Sequence, residues 1–522
     1  MEKMAIDEEA YNVLERIVGP ENISKDPEIL VSYRFNHGFA FGHIFYPEPG
    51  AVILPGSTEE VQAIVKACNK YKLRFKAHST GWGLLGTTSE GSLVMDLRRM
   101  NRILKIDEKN QFAVVEPYVN WAQLQREIMK VGLNCSIIGA GAHCSPLASC
   151  TSGWGHSFTG TFTGYNGRNL LGVEWVLPTG EILRLGSRDA VGEYFCADGP
   201  GPSLRGIMRG FMGAFGGMGV FTKAAIKLSY WAGPPKSQIK GKSPRYTCDL
   251  PKNFFATAYT FPEWQNMVNA MVKICDAEIA YLVSHGGTAT LPFTVVPSNK
   301  EFYDLWDAGM MTEMAKNNLE VMLVSDSPEE LKFKKMVLDE IIAEEKGFSP
   351  EAVKMFMDVF YLGTVMADRC AVKFRAGSLG TSMGGQGALD NTSSQGPIGV
   401  AIKRKYINKG LLMEDGHDDA FIMTIEGGCF GYLEEMFNYD PADEESTKAA
   451  TEYFIEATIE TPMKHHFTPG CMVPFGGKEA LESFGNAMYN FDVWQARVKK
   501  AFDPNDVSDR NFYATSEDTD KK

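Results

Sequence analysis

Short apolar runs alternate with polar segments along the first part of the chain, and together they predict a strand–helix–strand unit. Residues 51–54 form an apolar run that is typical of a buried strand. Ser57 and Glu60 then have the spacing of a helix capping box, and apolar residues recur after them at helical intervals. Residues 74–78 predict a second strand, which a glycine-rich loop follows.

The remaining pattern predicts more strands first and longer helices later. Strands are predicted at 92–97, 102–106, 111–116 and 220–228, a hairpin at 171–185, and helices at 121–131, 329–346, 440–458 and 491–502. A proline- and glycine-rich break at 231–236 indicates a domain boundary, and the polar, glycine-rich segment 377–399 predicts a loop. We therefore predict an α+β protein with boundaries that divide the chain into residues 1–235, 236–475 and 476–522.

Composition and charge exclude several classes of protein. The chain has 522 residues, 44% of them hydrophobic, and a net charge of −13, so it is neither a disordered chain nor a typical nucleic-acid binder. The N-terminus shows no signal-peptide core, and no apolar run is long enough to cross a bilayer. The ten cysteines include no CxxC pair. We expect a cytoplasmic protein with reduced thiols, no membrane span and no metal site.

Glycine is unusually abundant in this chain, which points to backbone that turns tightly or lies close to a ligand. It occupies 52 positions, about a tenth of the chain against a usual ~7%, and most of its clusters lie between residues 78 and 219. Such loops let backbone N–H groups approach an anion, typically a pyrophosphate. Neither a GxGxxG nor a P-loop motif occurs at these junctions. Tight turns in a β-rich domain are therefore the alternative explanation.

The order of these segments resembles one family of flavoproteins. The series comprises residues 51–86, the run Val114-Val115-Glu116-Pro117, the loop before the 171–185 hairpin, and the run AFGGMGVFTKAAIKL at 214–228. It is similar to the FAD-binding domain of the vanillyl-alcohol oxidase/p-cresol methylhydroxylase superfamily, and glycolate oxidase flavin subunits share the layout. The resemblance covers roughly residues 45–235 and resumes at 501–505. It implies a two-subdomain FAD-binding domain at 1–235, an α+β cap (substrate) domain at 236–475, and a segment, 476–522, that returns to the FAD domain.

The resemblance also implies which residues hold FAD. Those expected to wrap its pyrophosphate are His78, Ser79, Thr80, Gly81, Trp82 and Gly83. Those expected around the isoalloxazine and ribityl are Pro117, Pro146, Ala148, Ser149, Gly153 and Gly155, and those expected at the adenosine are Gly217, Gly219 and Val220. Covalent relatives carry a histidine where this chain has Trp82. The resemblance therefore implies a non-covalent, dissociable FAD.

The sequence offers three candidate catalytic residues. Tyr165 occupies the position where the phenol-oxidising branch has an aspartate close to flavin N5, which puts phenol chemistry in doubt. His465 and His466 are candidates for a general base, because imidazole titrates near neutral pH. If they lie on a strand, their side chains point to opposite faces. The alternative for Tyr165 is an ordinary packed aromatic residue. The alternative for the two histidines is an ordinary surface or core position.

The resemblance implies an FAD-linked oxidase or dehydrogenase. Hydride would pass to flavin N5 from a C–H bond of a small molecule, next to an alcohol or hydroxyacid oxygen or at a benzylic carbon. An external electron acceptor, either a protein or a small molecule, would reoxidise the flavin. The alternatives are a transferase like the ether-lipid synthases of the same fold, and an electron-relay flavin subunit. We also expect a homo-oligomer or a subunit of a larger complex.

Overall fold

A computed structural model provides the structure of most of the chain. It describes residues 6–34, 47–81, 89–153, 155–186, 201, 203–209, 213–242, 246–287, 296–309, 317–351, 357–367, 379–415, 420–467, 485 and 489–509. Trp82 and Gly83 of the predicted pyrophosphate loop lie outside these residues. Within them, every helix is too short or too polar to span a bilayer.

The first layer is a four-stranded sheet with three helices. Its strands are β1 (Ile23–Ser24), β2 (Ala51–Ile53), β3 (Phe75–His78) and β4 (Leu93–Asp96), and its helices are α1 (Glu8–Val18), α2 (Pro27–Ser32) and α3 (Thr58–Tyr71). The strand order is β1-β2-β4-β3, and β2 and β3 both run parallel to β4. The predicted cap of α3 is confirmed, because Ser57 Oγ accepts a hydrogen bond from the Glu60 N–H at 3.2 Å. The Glu60 carboxylate in turn accepts from the Gly56 N–H at 2.7 Å.

The second layer is a five-stranded antiparallel sheet. Its strands are β5 (Ile103–Asp107), β6 (Phe112–Val115), β8 (Leu170–Val176), β9 (Ile182–Leu185) and β10 (Val220–Lys227), in the order β5-β6-β10-β8-β9. The elements between β6 and β8 are α4 (Trp121–Ile128), β7 (Leu133–Asn134), α5 (Pro146–Thr151), α6 (Gly160–Thr163) and α7 (Asn166–Asn169). The predicted hairpin is therefore confirmed as β8 and β9. Trp175 of β8 is fully buried, and its Nε1–H donates to the Met218 carbonyl at 2.5 Å.

The third layer is a six-stranded antiparallel sheet in the C-terminal half. After the short strands β11 (Ser229–Tyr230), β12 (Ile239–Lys240) and β13 (Thr247–Cys248), it contains β14 (Phe254–Thr260), β15 (Leu282–His285), β16 (Asn318–Val324), β17 (Leu379–Gly387), β18 (Ala420–Ile425) and β19 (Phe430–Asn438). Their order is β14-β16-β15-β18-β19-β17. The accompanying helices are α8 (Trp264–Asp276), α9 (Asn299–Asp307), α10 (Pro328–Glu344), α11 (Met357–Val365), α12 (Leu389–Ile407), α13 (Glu444–His465) and α14 (Phe491–Phe502).

The prediction of a loop at 377–399 is wrong, because β17 and the first half of α12 occupy this segment. Small residues here allow close packing instead of a turn. A Cβ atom on Gly396 would lie 2.6 Å from the ring of Trp264, so only glycine lets α12 approach that closely. β17 pairs antiparallel with β19, with one register shift between Met383 and Gly385.

The segment that follows α14 returns to the first sheet. The Phe75 N–H donates to the Val507 carbonyl at 2.8 Å, and the Asp509 N–H donates to the Phe75 carbonyl at 2.9 Å. Phe502, at the end of α14, stacks on Trp175 with ring centroids 5.4 Å apart. These contacts join the C-terminal segment to both sheets of the N-terminal half. The boundaries at 235 and 475 themselves stay predictions.

Candidate functional site

The described part of the loop after β3, residues 79–81, contains backbone N–H groups that could bind an anion. Within the described residues, the N–H groups of Ser79, Thr80 and Gly81 donate to no protein acceptor. Gly81 has a φ of +77°, in the left-handed region that favours glycine. Successive unpaired N–H groups in such a turn form a concave site for an anion. This loop therefore fits the phosphates of a dinucleotide.

His78, at the end of β3, is held as a neutral group. Burial lowers the pKa of its imidazole, although the carboxylate of Asp96 opposes this shift. Its ring meets the ring of Tyr33 edge-on, with centroids 5.4 Å apart. The His78 carbonyl accepts from the Leu97 N–H at 2.9 Å, which anchors the start of the loop on β4.

A second group of predicted residues meets at the start of α5, whose first residue is Pro146. Ser145 caps this helix, since its Oγ accepts from the Ala148 N–H at 3.2 Å and donates to the Pro117 carbonyl at 2.6 Å. Ser149 Oγ donates to the Ser145 carbonyl at 2.7 Å. The structure thus brings Pro117, Pro146, Ala148 and Ser149 together, as the resemblance implies.

Tyr165 is packed between two glycines. A Cβ atom on Gly155 would lie 2.6 Å from its Cε2, and one on Gly167 would lie 2.6 Å from its Cε1. Tyr165 is 2% exposed, and burial raises the pKa of its phenol, so the hydroxyl keeps its proton at neutral pH. Gly153 has looser surroundings, because its Cβ would lie 3.5 Å from the Ala148 carbonyl.

His156 is a residue that the sequence reasoning missed. Its ring stacks on Tyr432 with centroids 3.7 Å apart and lies 5.1 Å from the ring of Tyr165. Its Nε2 is 2.7 Å from Oε1 of Gln386. Burial lowers the pKa of His156 to about 3, so the imidazole is neutral. Its position next to Gly155 in a glycine-rich loop was the only signal in the sequence, because Gln386 is 230 residues away.

The His156 cluster lies where the N-terminal half meets the six-stranded sheet. Tyr432 belongs to β19 and Gln386 to β17. Close by, Thr161 Oγ1 of α6 lies 2.7 Å from Thr424 Oγ1 of β18 and accepts from the Val283 N–H at 3.1 Å. Residues of the glycine-rich loops are therefore in direct contact with residues of the large sheet.

Two backbone carbonyls of the segment 213–220 accept hydrogen bonds from buried lysines. Lys76 Nζ donates to the Phe215 carbonyl at 3.2 Å, and Lys499 Nζ donates to the Gly217 carbonyl at 2.6 Å. Gly219 has a φ of +88°, and a Cβ there would lie 2.3 Å from the Val176 carbonyl, so no other residue fits. Val220 pairs with Val176 in the sheet.

His465 and His466, the candidate general bases, lie at the end of a helix. They do not lie on a strand: His465 ends α13, and His466 is its C-terminal cap with a φ of 57°. The helix is stabilised up to this point because Tyr453 and Phe454, about three turns earlier, are buried against the core. His465 Nε2 lies 4.0 Å from Glu460 Oε1, and His466 is exposed. Among the described contacts, neither histidine touches Tyr165 or His156.

Comparison with known proteins supports this picture. Residues 49–186 match the family described as FAD binding domain. The glycolate oxidase subunit GlcD of Bacillus subtilis is 28% identical over 225 residues, which cover 43% of this chain and 45% of that protein. The chain spans about half or less of the length of the curated relatives that it matches.

Two solved structures share the fold over nearly the whole chain. Substrate-bound p-cresol methylhydroxylase has a TM-score of 0.75 and 17% identity, with 98% of both chains covered. An alkyldihydroxyacetonephosphate synthase has a TM-score of 0.63 and 15% identity, with 98% of this chain and 86% of that one covered. At these identities the likeness establishes the fold alone.

The predicted α+β fold and the resemblance to the vanillyl-alcohol oxidase/p-cresol methylhydroxylase superfamily are thus confirmed, and FAD is the cofactor. The residues fit it, because the N–H groups of residues 79–81 donate to no acceptor among the described residues and can bind its phosphates. The individual FAD-binding and catalytic residues stay predictions.

Proposed function

We propose that this protein is an FAD-dependent oxidoreductase that removes hydride from a C–H bond of a small molecule. The carbon would carry an alcohol or hydroxyacid oxygen, or be benzylic. FAD would supply the hydride acceptor at N5, and an external acceptor would reoxidise it. The observation that carries this proposal is the largely buried cluster of His156, Tyr165, Tyr432 and Gln386, which lies at the junction of the FAD-binding half and the large sheet.

The role proposed for the cluster is to position the substrate. His156 is a poor general base, because the low pKa of its buried imidazole leaves little affinity for a proton at neutral pH. Its bond to Gln386 and its stack on Tyr432 instead fix the ring orientation. Burial raises the pKa of Tyr165, so its phenol stays protonated at neutral pH and is not a base. The base that takes the substrate proton is therefore another group, and His465 and His466 stay candidates.

The proposed attachment of FAD is non-covalent, as the tryptophan at position 82 implies. Denaturing the purified holoprotein with acid and separating the precipitate tests this directly. We expect the yellow colour to stay in the supernatant. Flavin that remains with the precipitated chain would show a covalent bond and overturn this part of the proposal.

Anaerobic mixing of the holoprotein with candidate substrates tests the activity. We expect the visible flavin absorbance to bleach with one class among alcohols, 2-hydroxyacids and alkylphenols. Purified protein that is colourless and takes up no FAD would contradict the whole proposal. Holoprotein that is bleached by dithionite, but by none of the three classes, would contradict the proposed reaction while leaving the cofactor intact.

The second candidate is a transferase that uses FAD without net oxidation, which the fold of alkyldihydroxyacetonephosphate synthase supports. Its substrate would exchange a group while the flavin is oxidised both before and after turnover. Product analysis under strict anaerobiosis separates the two candidates. A product that accumulates over many turnovers without any electron acceptor favours the transferase, whereas one turnover per flavin favours the oxidoreductase.

A further inference from the structure

One face of the six-stranded sheet is turned towards the FAD-binding half of the chain. Phe421 of β18 meets the ring of Phe158 edge-on with centroids 5.2 Å apart, and Phe430 of β19 meets the ring of Tyr165 edge-on at 6.0 Å. Residues two positions apart on a strand share one face of the sheet. Alternate residues of both strands therefore point towards this half, and we call the side that carries Phe421 and Phe430 the inner face.

Glu434 lies on the inner face of β19. It follows Tyr432 by two residues, and the ring of Tyr432 stacks on His156 of the N-terminal half. Its register partner on β18 is Phe421, and residues directly opposite in an antiparallel pair project to the same side. Its register partner on β17 is Met383, and neither partner is a residue type that ionises. The pairing therefore directs the Glu434 side chain towards the FAD-binding half.

The Glu434 carboxylate contacts the His156 cluster and keeps some access to solvent. Its Oε1 accepts a hydrogen bond from the Tyr432 hydroxyl at 2.5 Å. It is partly exposed, whereas the other residues of β19 are buried. An ionised carboxylate has about four acceptor positions, so the bond from Tyr432 holds it in place without saturating it. This arrangement suits a group that accepts a proton from a ligand and releases it to water.

The other titratable groups described near this face are either poor bases or already paired. His156 is neutral with a pKa of about 3, and Tyr165 keeps its phenol proton because burial raises its pKa. The guanidinium of Arg168 lies 4.9 Å from the ring centroid of Phe430 and forms an ion pair with Glu426. None of these groups therefore competes with a carboxylate on β19 for a substrate proton.

A second carboxylate on the inner face, that of Glu320, lies farther from the cluster. Its register partner is Ser284 of β15, which pairs in turn with Met423 of β18, opposite Tyr432. Neighbouring strands are about 4.8 Å apart, so β16 lies about 14 Å from β19. Glu320 Oε2 accepts from the Ser284 hydroxyl at 3.0 Å. Glu320 is partly exposed, like Glu434, and therefore offers a matched control.

We propose that the Glu434 carboxylate is the general base of the reaction, and that the substrate carries a hydroxyl group on the carbon that is oxidised. This inference rests on the proposed function and deepens it. As the C–OH group becomes a carbonyl, the O–H bond breaks and its proton moves to Glu434, while the hydrogen of the C–H bond leaves with both bonding electrons to flavin N5. The proton then passes from Glu434 to water, and Tyr432 fixes the orientation of the carboxylate.

Glu434 is better placed for this role than His465 and His466 at the end of α13. Among the described contacts, neither histidine reaches the His156 cluster, whereas Glu434 is bonded to Tyr432 within it. A general base must lie within hydrogen-bond reach of the proton that it takes. Position relative to the cluster therefore favours the carboxylate.

Rapid mixing of the anaerobic holoprotein with D-lactate, glycolate and benzyl alcohol tests this assignment. All three probes carry a hydroxyl on the carbon to be oxidised. With the probe that bleaches the wild type, we expect Glu434→Gln to slow flavin bleaching about 100-fold or more, because the amide cannot take the proton. Glu434→Asp keeps a carboxylate and is expected to be faster than E434Q. Glu320→Gln makes the same change on the same face and is expected to bleach at the wild-type rate.

Two readouts separate a base from a residue that only supports the structure. The wild-type bleaching rate is expected to fall at acidic pH, where a carboxylate base is protonated, and this fall is expected to be absent in E434Q. Added formate is expected to accelerate bleaching of Glu434→Ala, because a free carboxylate can take the place of the missing side chain. The FAD content and visible spectrum of each variant are expected to match those of the wild type.

An E434Q protein that bleaches as fast as the wild type, or that is slowed no more than E320Q, overturns the proposal. If E434Q does not retain FAD, the decision passes to the other two variants. An E434D protein no faster than E434A, with no response of E434A to formate, then overturns it.

Failure of this inference is distinguishable from failure of the proposed function. A wild type that is bleached by alkylphenols, but by none of the hydroxyl-bearing probes, overturns the role of Glu434 and leaves an FAD-dependent oxidoreductase. A wild-type holoprotein that no probe bleaches contradicts the proposed function itself.

Discussion

The Nζ atom of Lys499 lies 2.6 Å from the carbonyl oxygen of Gly217, and these two residues are 282 positions apart in the chain. The same Nζ donates to Oδ2 of Asp503 at 2.6 Å and to the Ser508 carbonyl at 2.9 Å. Ser508 Oγ in turn accepts from the Gly219 N–H at 2.9 Å. The C-terminal segment thus fixes the glycine segment that the resemblance places at the adenosine of FAD.

Replacing this lysine should destabilise the protein and weaken FAD binding. Lys499→Met leaves the buried Asp503 carboxylate without its cation, which typically costs about 3–5 kcal/mol. Urea unfolding and FAD titration of the apoprotein measure the two effects. Lys500→Met changes the adjacent exposed lysine and is expected to stay within about 0.5 kcal/mol of the wild type. Equal unfolding midpoints for the two variants would contradict the assigned role.

Gly219→Ala should be far more damaging than the same change at Gly206. The new Cβ at 219 would lie 2.3 Å from the Val176 carbonyl on a backbone with φ of +88°, whereas the one at 206 meets nothing within 4 Å. We expect a loss of about 2 kcal/mol or more for G219A, because strain and overlap add, and almost none for G206A. Thermal unfolding with and without FAD is the measurement. A G219A protein as stable as G206A would show that the segment adopts another conformation.

The rate of flavin reduction should depend on His156, but its pH dependence should show no ionisation of this histidine. Because burial lowers the pKa of His156 to about 3, we expect no inflection from this residue in kcat/KM between pH 5 and 8. His156→Phe keeps a ring that can stack on Tyr432 but loses the bond to Gln386, so we expect bleaching to slow by about tenfold with FAD content unchanged. Rapid-mixing absorbance measures this rate. A rate equal to that of the wild type would remove His156 from the site.

His465→Gln and His466→Gln serve as comparators for that measurement. If either histidine takes the substrate proton, its variant slows bleaching and changes the pH profile, whereas H156F changes the rate alone. An unchanged rate in both glutamine variants would exclude these residues as the base.

Glu174 should make stability depend on pH in the acidic range. Burial alone would raise the pKa of its carboxyl, but hydrogen bonds from Lys223, Arg184 and Thr58 outweigh this and lower the pKa to about 2. The folded pKa lies below the ordinary value of 4.5, so the stabilisation is present above pH 4.5 and is lost as the pH falls towards 2. It is on the order of 2 kcal/mol, because solvent screens the half-exposed Arg184.

Urea unfolding of Glu174→Gln and wild type from pH 7 to pH 4 tests this effect. We expect the wild type to be more stable at pH 7 and the difference to shrink as the pH falls below 4.5. Glu181→Gln, at an exposed position on the same hairpin, should show no such trend. A difference that stays constant with pH would mean that the Glu174 carboxylate is not selectively stabilised in the folded state.

The sequence pattern alone correctly predicted the helices and strands that depend on local interactions. The cap of α3 at Ser57, the hairpin of β8 and β9 and the bounds of α14 all agree with the structure. Each depends on residues within one element or one turn, where periodicity and capping act. The order of the glycine-rich loops also indicated the family resemblance, and this resemblance implied the cofactor.

Tertiary structure alone decided the rest. Gly396, in the segment that was predicted as a loop, lets α12 pack closely on Trp264, and the sequence pattern could not distinguish this helix from a loop. His156 acquires its neutral state from burial against Tyr432, and Lys499 acquires its role from Gly217 and Ser508. These partners lie far apart in the chain, and burial, which sets both packing and pKa, arises only when folding brings them together.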